Sequence, residues 1–293
     1  MIFQKPVTDI ITERISTRSY SERDIEKDSL DSLQAAISEI NAGMRIRARF
    51  QYLDMSWDAE EHAGSGRSGR SSGSGDVGDK LGTYGMIAGS HSYLVGIMEK
   101  EEKDVAEFGF QFERLILFAT GLGLQTCWLG GTFDRDALGK KVVLVENEFI
   151  PIISPVGYKR EKTRIMDSVI RAAVGANRRK HWEQLFFNDS MDTPMEKYQA
   201  ADYSVCLEMV RLAPSASNKQ PWRVIRDDTG LHFFVCRNKG YGPANFDIQK
   251  SDVGIAMCHF ELAAKEKGLT GEWANRTDVA CPGEWEYVRT WNH

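Results

Sequence analysis

The sequence predicts an α+β protein with a central, largely antiparallel sheet flanked by helices, and three observations lead there. The segment Phe108–Leu124 reads as a helix that is apolar on nearly every side. The apolar runs at 46–57, 92–98 and 149–158 are short, and they do not alternate with helices as the strands of a parallel sheet would. Two twenty-residue windows, Gly109–Trp128 and Gly254–Trp273, also align without gaps and share Gly109/Gly254, Leu117/Leu262, Ala119/Ala264, Gly123/Gly268, Leu124/Leu269 and Trp128/Trp273.

Each element follows from its pattern. A helix over Leu30–Ile40 precedes IRARFQYLDMSW (Ile46–Trp57), whose alternating apolar positions mark a strand. The stretch from Ala63 to Lys80 is built of Gly, Ser, Arg and Asp and buries no apolar area, so it is expected to be a flexible surface excursion. A Gly-punctuated turn leads into a strand over Ser92–Met98. A nearly all-apolar helix such as Phe108–Leu124 has to be covered on all sides, as at the centre of a large core or a subunit interface. A short helix at about Asp134–Lys140 and a buried strand, Phe149–Tyr158, broken by two prolines complete the first part. In the second part a helix over Ala200–Leu212 is stopped by Pro214, and a strand begins after Trp222.

Composition excludes several classes of function. The 293 residues are 42% hydrophobic and 27% charged, the profile of a globular protein. A net charge of −5 argues against a nucleic-acid partner. No apolar run approaches the roughly 20 residues that span a bilayer, and the N-terminus lacks the apolar centre of a secretory signal, so a cytoplasmic protein without a membrane partner is expected. The cysteines at 127, 206, 236, 258 and 281 form no CxxC pair, and neither a disulfide framework nor a metal site is expected. The histidines and cysteines are assigned to structure. No GxGxxG opens a helix, so a tightly held dinucleotide is not indicated.

The most informative stretch is Pro214-Ser-Ala-Ser-Asn-Lys-Gln-Pro-Trp222. Ser215, Ala216, Ser217, Asn218 and Gln220 offer amides and hydroxyls that could converge on one planar polar ligand. A polar helix-to-strand connection without a ligand is the alternative. Near the N-terminus, Arg14, Ser16 and Arg18 fall on one side of an extended segment and could meet a single anion, although RxSxR also suits a solvated loop. In GLGLQTCWLGGTF (Gly121–Phe133), Leu129, Gly130 and Gly131 would let backbone approach a ligand closely, or simply form a turn after a helix. Arg178, Arg179 and Lys180 form a local basic run.

Together these motifs resemble the FMN-dependent nitroreductase family, over most of the chain except Gln51–Lys80 and the part after Trp273. The resemblance implies that Ser215, Ala216, Ser217, Asn218 and Gln220 contact FMN. It also implies that Arg14, Ser16 and Arg18, completed by Arg178 and Lys180, hold its phosphate, and that Leu129, Gly130 and Gly131 run past the flavin ring. Arg18 is the candidate positive charge near the pyrimidine edge of the ring. Ile15 stands where the family often has a second basic residue, which would weaken the phosphate site.

The phosphate motif and the Gly-Gly segment lie only in the first half and the PSASNKQPW loop only in the second. The chain therefore resembles internally duplicated, single-chain members of the family: pseudo-repeats 1–190 and 191–293 around one shared core, a monomer acting as a pseudo-dimer, with one FMN. The implied activity is oxidation of NAD(P)H, with NADH and NADPH undistinguished, and reduction of a small-molecule electron acceptor such as a nitroaromatic or quinone. A different FMN reaction on the same scaffold (dehalogenation, flavin destruction, azoline dehydrogenation) and a non-catalytic flavin-binding descendant are the alternatives.

Overall fold

The computed structural model describes residues 2–55, 83, 85–161, 167, 170, 175 and 178–292, so the Gly/Ser-rich stretch expected at 63–80 lies outside the described residues. The chain divides into two compact units that interleave along the sequence. The first comprises the described residues within 15–101 and 118–169, and the second those within 2–14, 102–117 and 170–293.

The first unit is built on a four-stranded antiparallel sheet. Helix α2 (Lys27–Gly43; α1 is Val7–Glu13, in the second unit) leads into β1 (Ala48–Asp54) and β2 (Ser92–Glu99), followed after helix α3 (Val105–Gly121) by β3 (Gln125–Thr126), α4 (Arg135–Gly139) and β4 (Glu148–Gly157). The strand order is β1-β2-β4-β3. Strand β2 is buried from Ser92 to Met98, which explains its unbroken apolar run where a half-exposed strand would alternate. The Asn41 side chain pairs with β1 as a strand would: its Nδ2 donates to the Phe50 carbonyl and its Oδ1 accepts the Phe50 N–H, both at 2.8 Å. The prolines expected to break the 149–158 strand do not interrupt it. Pro151 falls at the register shift opposite Gly96–Met98, where a bulge needs no ladder N–H, and Pro155 lies where β3 has already ended at Thr126. Tyr20, Tyr93, Val95, Ile97, Leu129, Phe133 and Ile153 are among the residues of this unit's core.

The second unit carries a five-stranded sheet of order β5-β6-β7-β9-β8. Its elements are β5 (Phe186–Asn188), α5 (Ser204–Leu212), β6 (Trp222–Asp227), β7 (Gly230–Val235), α6 (Ile248–Glu266), β8 (Glu272–Ala274) and β9 (Glu286–Asn292). All pairings are antiparallel except β5 with β6. The α+β, mostly antiparallel expectation is met, with the strands shared between two sheets. Helix α5 starts at Ser204, later than the expected Ala200, because a tight 3₁₀ turn over Lys197–Tyr203 contains Ala201 at φ 48°. Phe260 on α6 anchors the core, its ring meeting those of Tyr203, Phe233, Trp273 and Trp291 at centroid distances of 5.5–5.9 Å. Among the described residues no helix is long and apolar enough to cross a membrane.

The two sheets repeat one plan: helix, two strands, helix, short strand, strand, with β1-β2-β4-β3 matched by β6-β7-β9-β8. No residue of α3 is exposed, as its composition predicts, and Ser251–Phe260 of α6 are buried throughout. The first turns of α3 cross α6 at two glycines. A Cβ on Gly254 would lie 1.9 Å from the Ala106 carbonyl oxygen, and one on Gly109 would lie 2.1 Å from the Ser251 carbonyl oxygen. Both pairs, Gly109/Gly254 and Ala106/Ser251, are separated by 145 residues, so each contact is the image of the other in the gap-free alignment. Because the obstacle is backbone, neither glycine tolerates a methyl group without moving a helix. Gly254→Ala and Gly109→Ala are each expected to destabilise the protein by about 1–3 kcal/mol or more, read as a lowered urea midpoint at an unchanged slope; a loss under about 0.5 kcal/mol in both would contradict this crossing.

Candidate functional site

In the second unit the PSASNKQPW segment links α5 to β6 and takes a conformation that ordinary residues resist. Ser217, Asn218 and Gln220 have φ of 46°, 54° and 49°. Left-handed backbone is tolerable for Asn and unfavourable for Ser and Gln, by up to about 1–3 kcal/mol each. Side-chain hydrogen bonds hold it in place. The Ser215 hydroxyl accepts the Gln220 N–H at 2.8 Å, and the Tyr241 hydroxyl donates to Ser217 Oγ at 2.8 Å. Asn218 Nδ2 donates to the carbonyls of Gly175 and Arg178, at 2.7 and 2.6 Å. Gln220 accepts the Lys180 N–H at 2.8 Å and donates to the Arg178 carbonyl at 3.2 Å. The loop and the basic run at 178–180 are therefore one structure.

Within that structure the three basic residues differ. The Arg178 side chain is exposed and its carbonyl does the work. Arg179 turns inward, donating to Asn218 Oδ1 at 2.5 Å and to the Leu212 carbonyl at 3.0 Å. Lys180 Nζ donates to the Gln220 carbonyl at 3.2 Å. Burial, then the charges of Arg14 and Arg211, push the Arg179 pKa down to about 10. Burial, then Arg223, push that of Lys180 down to about 8. Both depressions mean positive charge held in a poorly solvated place, which an anion would relieve. Arg14, at the end of α1, is a further buried basic side chain. Its side chain is 6% exposed, its Nε stands 4.0 Å from Glu113 Oε1, and its Nη1 is buried with no hydrogen-bond partner among the described residues. A phosphate-like group, with several acceptor oxygens and up to two charges, matches this donor set.

In the first unit, Ser16 bridges to Thr126, three residues before Leu129, and the neighbouring Thr17 N–H donates to the Thr126 carbonyl at 2.9 Å. The Arg18 carbonyl accepts the Ala88 N–H at 2.9 Å, and Ser19 Oγ donates to Asp167 at 2.5 Å, which fixes the extended course of the motif. Leu129 exchanges both backbone hydrogen bonds with Ile153, the Gly130 carbonyl accepts from Arg135 Nη2 at 2.7 Å, and nothing lies within 4 Å of where a Gly131 Cβ would be. In the first unit Ser16 and Leu129 thus meet the sheet at Thr126 and Ile153, Arg18 is tied to Ala88, and Gly130 and Gly131 follow Leu129 in the chain. The second gathers Arg178, Lys180, Ser215, Ala216, Ser217, Asn218 and Gln220 around one loop and contains Arg14.

The sequence motifs omitted Glu113, His259, Tyr241 and Asp252. None has a local signature, since each meets its partner across a long stretch of chain. Asp252, on α6, accepts the Ala216 N–H with both oxygens, at 3.2 and 3.1 Å. Burial, then the nearby Asp247 and Glu113, hold its carboxyl well above the usual carboxylate range, against the stabilising Ala216 bond. A carboxyl with a raised folded-state pKa supplies stability that is complete below the unfolded pKa and is lost as pH rises toward the folded value. Asp252→Asn keeps an acceptor for Ala216 and removes the titration. It is therefore expected to gain progressively on wild type in urea unfolding as pH rises above about 4; parallel pH profiles for the two proteins would contradict this.

The sequence matches the family model described as "Putative TM nitroreductase" over residues 73–264. No curated protein matches it. A Thermotoga maritima crystal structure of like description aligns over 95% of this chain and 93% of its own, at 20% identity and TM-score 0.53, and shares the fold. An FMN-bound nitroreductase from Bacteroides fragilis aligns over 55% of this chain and 92% of its own, at 23% identity and TM-score 0.40. An FMN-dependent nitroreductase from Clostridium difficile covers 53% and 88%, at 19% identity and TM-score 0.38. Since the family model spans well over half of the sequence, this chain belongs to the nitroreductase family that the model describes.

Proposed function

We propose that the protein is an FMN-dependent oxidoreductase that takes electrons from NADH or NADPH and passes them to an electron-poor small molecule, a nitroaromatic or a quinone. The observation that carries this reading is the buried cationic group of the second unit. Arg14, Arg179 and Lys180 are positive, poorly solvated and joined, through Arg179 and Lys180, to the PSASNKQPW loop. A purely structural loop would not need two cations, Arg179 and Lys180, whose charge is disfavoured by burial and by neighbouring cations. Bound FMN would supply the two-electron redox chemistry, and the protein supplies binding and orientation. Arg14, Ser16, Arg18, Arg178, Arg179 and Lys180 are proposed to serve the phosphate, with Arg18 also the candidate charge near the pyrimidine edge. Ser215, Ala216, Ser217, Asn218 and Gln220 are proposed for the ring's polar edge, and Leu129, Gly130 and Gly131 for backbone contact with the ring.

We further propose that the chain is an internal duplication that acts as a monomer in the cytoplasm and binds one flavin. The repeated sheet plan and the paired glycine contacts support duplication. One site is supported by unequal connections: residues 44–47 link α2 to β1, whereas 213–221 link α5 to β6.

Absorption spectroscopy after reconstitution tests this reading, with about one retained FMN per chain expected and flavin-dependent oxidation of NADH or NADPH accelerated by a quinone. No retained flavin and no turnover would overturn it. The binding has a pH signature. Lys180 is protonated below about pH 8 in the free protein, with Arg223, Lys219 and Cys236 as its charged or titratable neighbours. A phosphate dianion favours the protonated form, so FMN affinity is expected to fall about tenfold as pH rises from 7.5 to 9.5 and to be flatter in Lys180→Met. Equal slopes in the two proteins would remove Lys180 from the site.

A further inference from the structure

Three ionisable side chains from three helices meet in the interior of the second unit. Glu113 lies on α3 and His259 on α6, both fully buried, and Arg14 ends α1 at 6% exposure. His259 Nδ1 is 3.0 Å from the Met209 carbonyl oxygen, and Nε2 is 2.9 Å from Glu113 Oε1. A carbonyl only accepts, so Nδ1 carries a proton. The contact at Nε2 then requires a second proton, either on the imidazole or on the carboxyl. In both states the histidine and glutamate together sum to zero charge. The Arg14 charge is consequently left uncancelled by that pair, although its Nε sits 4.0 Å from the shared carboxyl oxygen. Its Nη1 is buried with no hydrogen-bond partner among the described residues.

We propose that His259 and Glu113 are positioning residues for Arg14: the imidazole occupies the glutamate, so that the carboxyl orients the guanidinium without neutralising it, and Nη1 is kept for an oxygen of the bound anion. This rests on the FMN reading above, with the flavin phosphate as that anion. It differs from the simpler arrangement in which Glu113 is the counter-ion of Arg14 and competes with the ligand. Under that arrangement removal of the carboxylate would tighten binding; under ours it loosens it. His259 acts as a guard, because without it Glu113 would turn its full negative charge on Arg14.

The test compares FMN with riboflavin, which lacks the phosphate, in fluorescence-quenching titrations of the whole chain. Wild type is expected to prefer FMN, and Arg14→Met to lose most of that preference. Glu113→Gln and His259→Phe are each expected to reduce the FMN-to-riboflavin affinity ratio about tenfold while leaving riboflavin affinity unchanged. Glu113→Gln combined with His259→Phe should have a higher ratio than His259→Phe alone, since no carboxylate remains to neutralise Arg14. A general packing role would instead lower both affinities together and make the double variant worse. If wild type does not prefer FMN, the flavin reading itself fails. If wild type prefers FMN but either single variant keeps the wild-type ratio or raises it, the positioning role fails. Should the variants not fold, imidazole nitrogen-15 spectra of wild type decide: a protonated His259 Nδ1 is expected, and an unprotonated one overturns the proposal.

Discussion

At Gly109 and Gly254 the backbones of α3 and α6 come so close that a side-chain carbon on either helix would overlap a carbonyl oxygen of the other. Helices usually pack about 8–10 Å apart because side chains intervene, and removing them at the crossing locks both angle and register. Polar groups then follow from that register. Glu113 lies one turn beyond Gly109, and His259 lies just beyond one turn past Gly254, which brings their side chains within 2.9 Å. Asp252, two residues before Gly254, reaches back to the Ala216 N–H. A slip of one residue in either helix would separate the first pair and detach the loop from the second.

The polar interior that results is strained in a consistent direction. Arg179 and Lys180 are pushed toward losing a proton, while Asp252 is pushed toward keeping one. The carboxyl that contacts the loop and the two cations beside it are thus all drawn toward their neutral forms. Backbone strain at Ser217 and Gln220 lies in the same few residues. Strain and unscreened charge concentrated at one loop are hard to explain as packing alone, and both would be offset by an anionic ligand with oxygen acceptors.

Much of this was legible in the sequence, for physical reasons. Helix α3 has only a narrow polar stripe, Glu107, Gln111 and Arg114, which is partly exposed, while its apolar residues apart from Phe118 are buried, as a helix of that composition requires. The apolar run at 92–98 marked β2 as a strand, and its burial on both faces came with the structure. The loop at 214–222 could be read because its chemistry is contiguous. Glu113 and His259 could not, since 146 residues separate them and each is a lone polar residue in a buried helix. Such residues show no period or spacing and emerge only when a tertiary contact pairs them. Pro151 misled for a related reason, because the bulge that accommodates it belongs to the pairing with β2 and leaves no local mark.

Under the proposed duplication the 145-residue offset shows which constraints outlived it. Gly109 still corresponds to Gly254, and the reciprocal carbonyl contacts persist. Polar roles have diverged: the same offset places Cys258 opposite Glu113 and Arg114 opposite His259, so the buried pair has no image across the crossing. The loop differs as well, with residues 44–47 standing where 213–221 stand in the other repeat. A backbone crossing constrains both repeats equally, since neither helix can change it alone. A ligand site needs polar groups from particular positions and can be kept once while its duplicate decays. Symmetry in the glycines and asymmetry in the charges is therefore what a chain retaining one anion site of two, as proposed, would show.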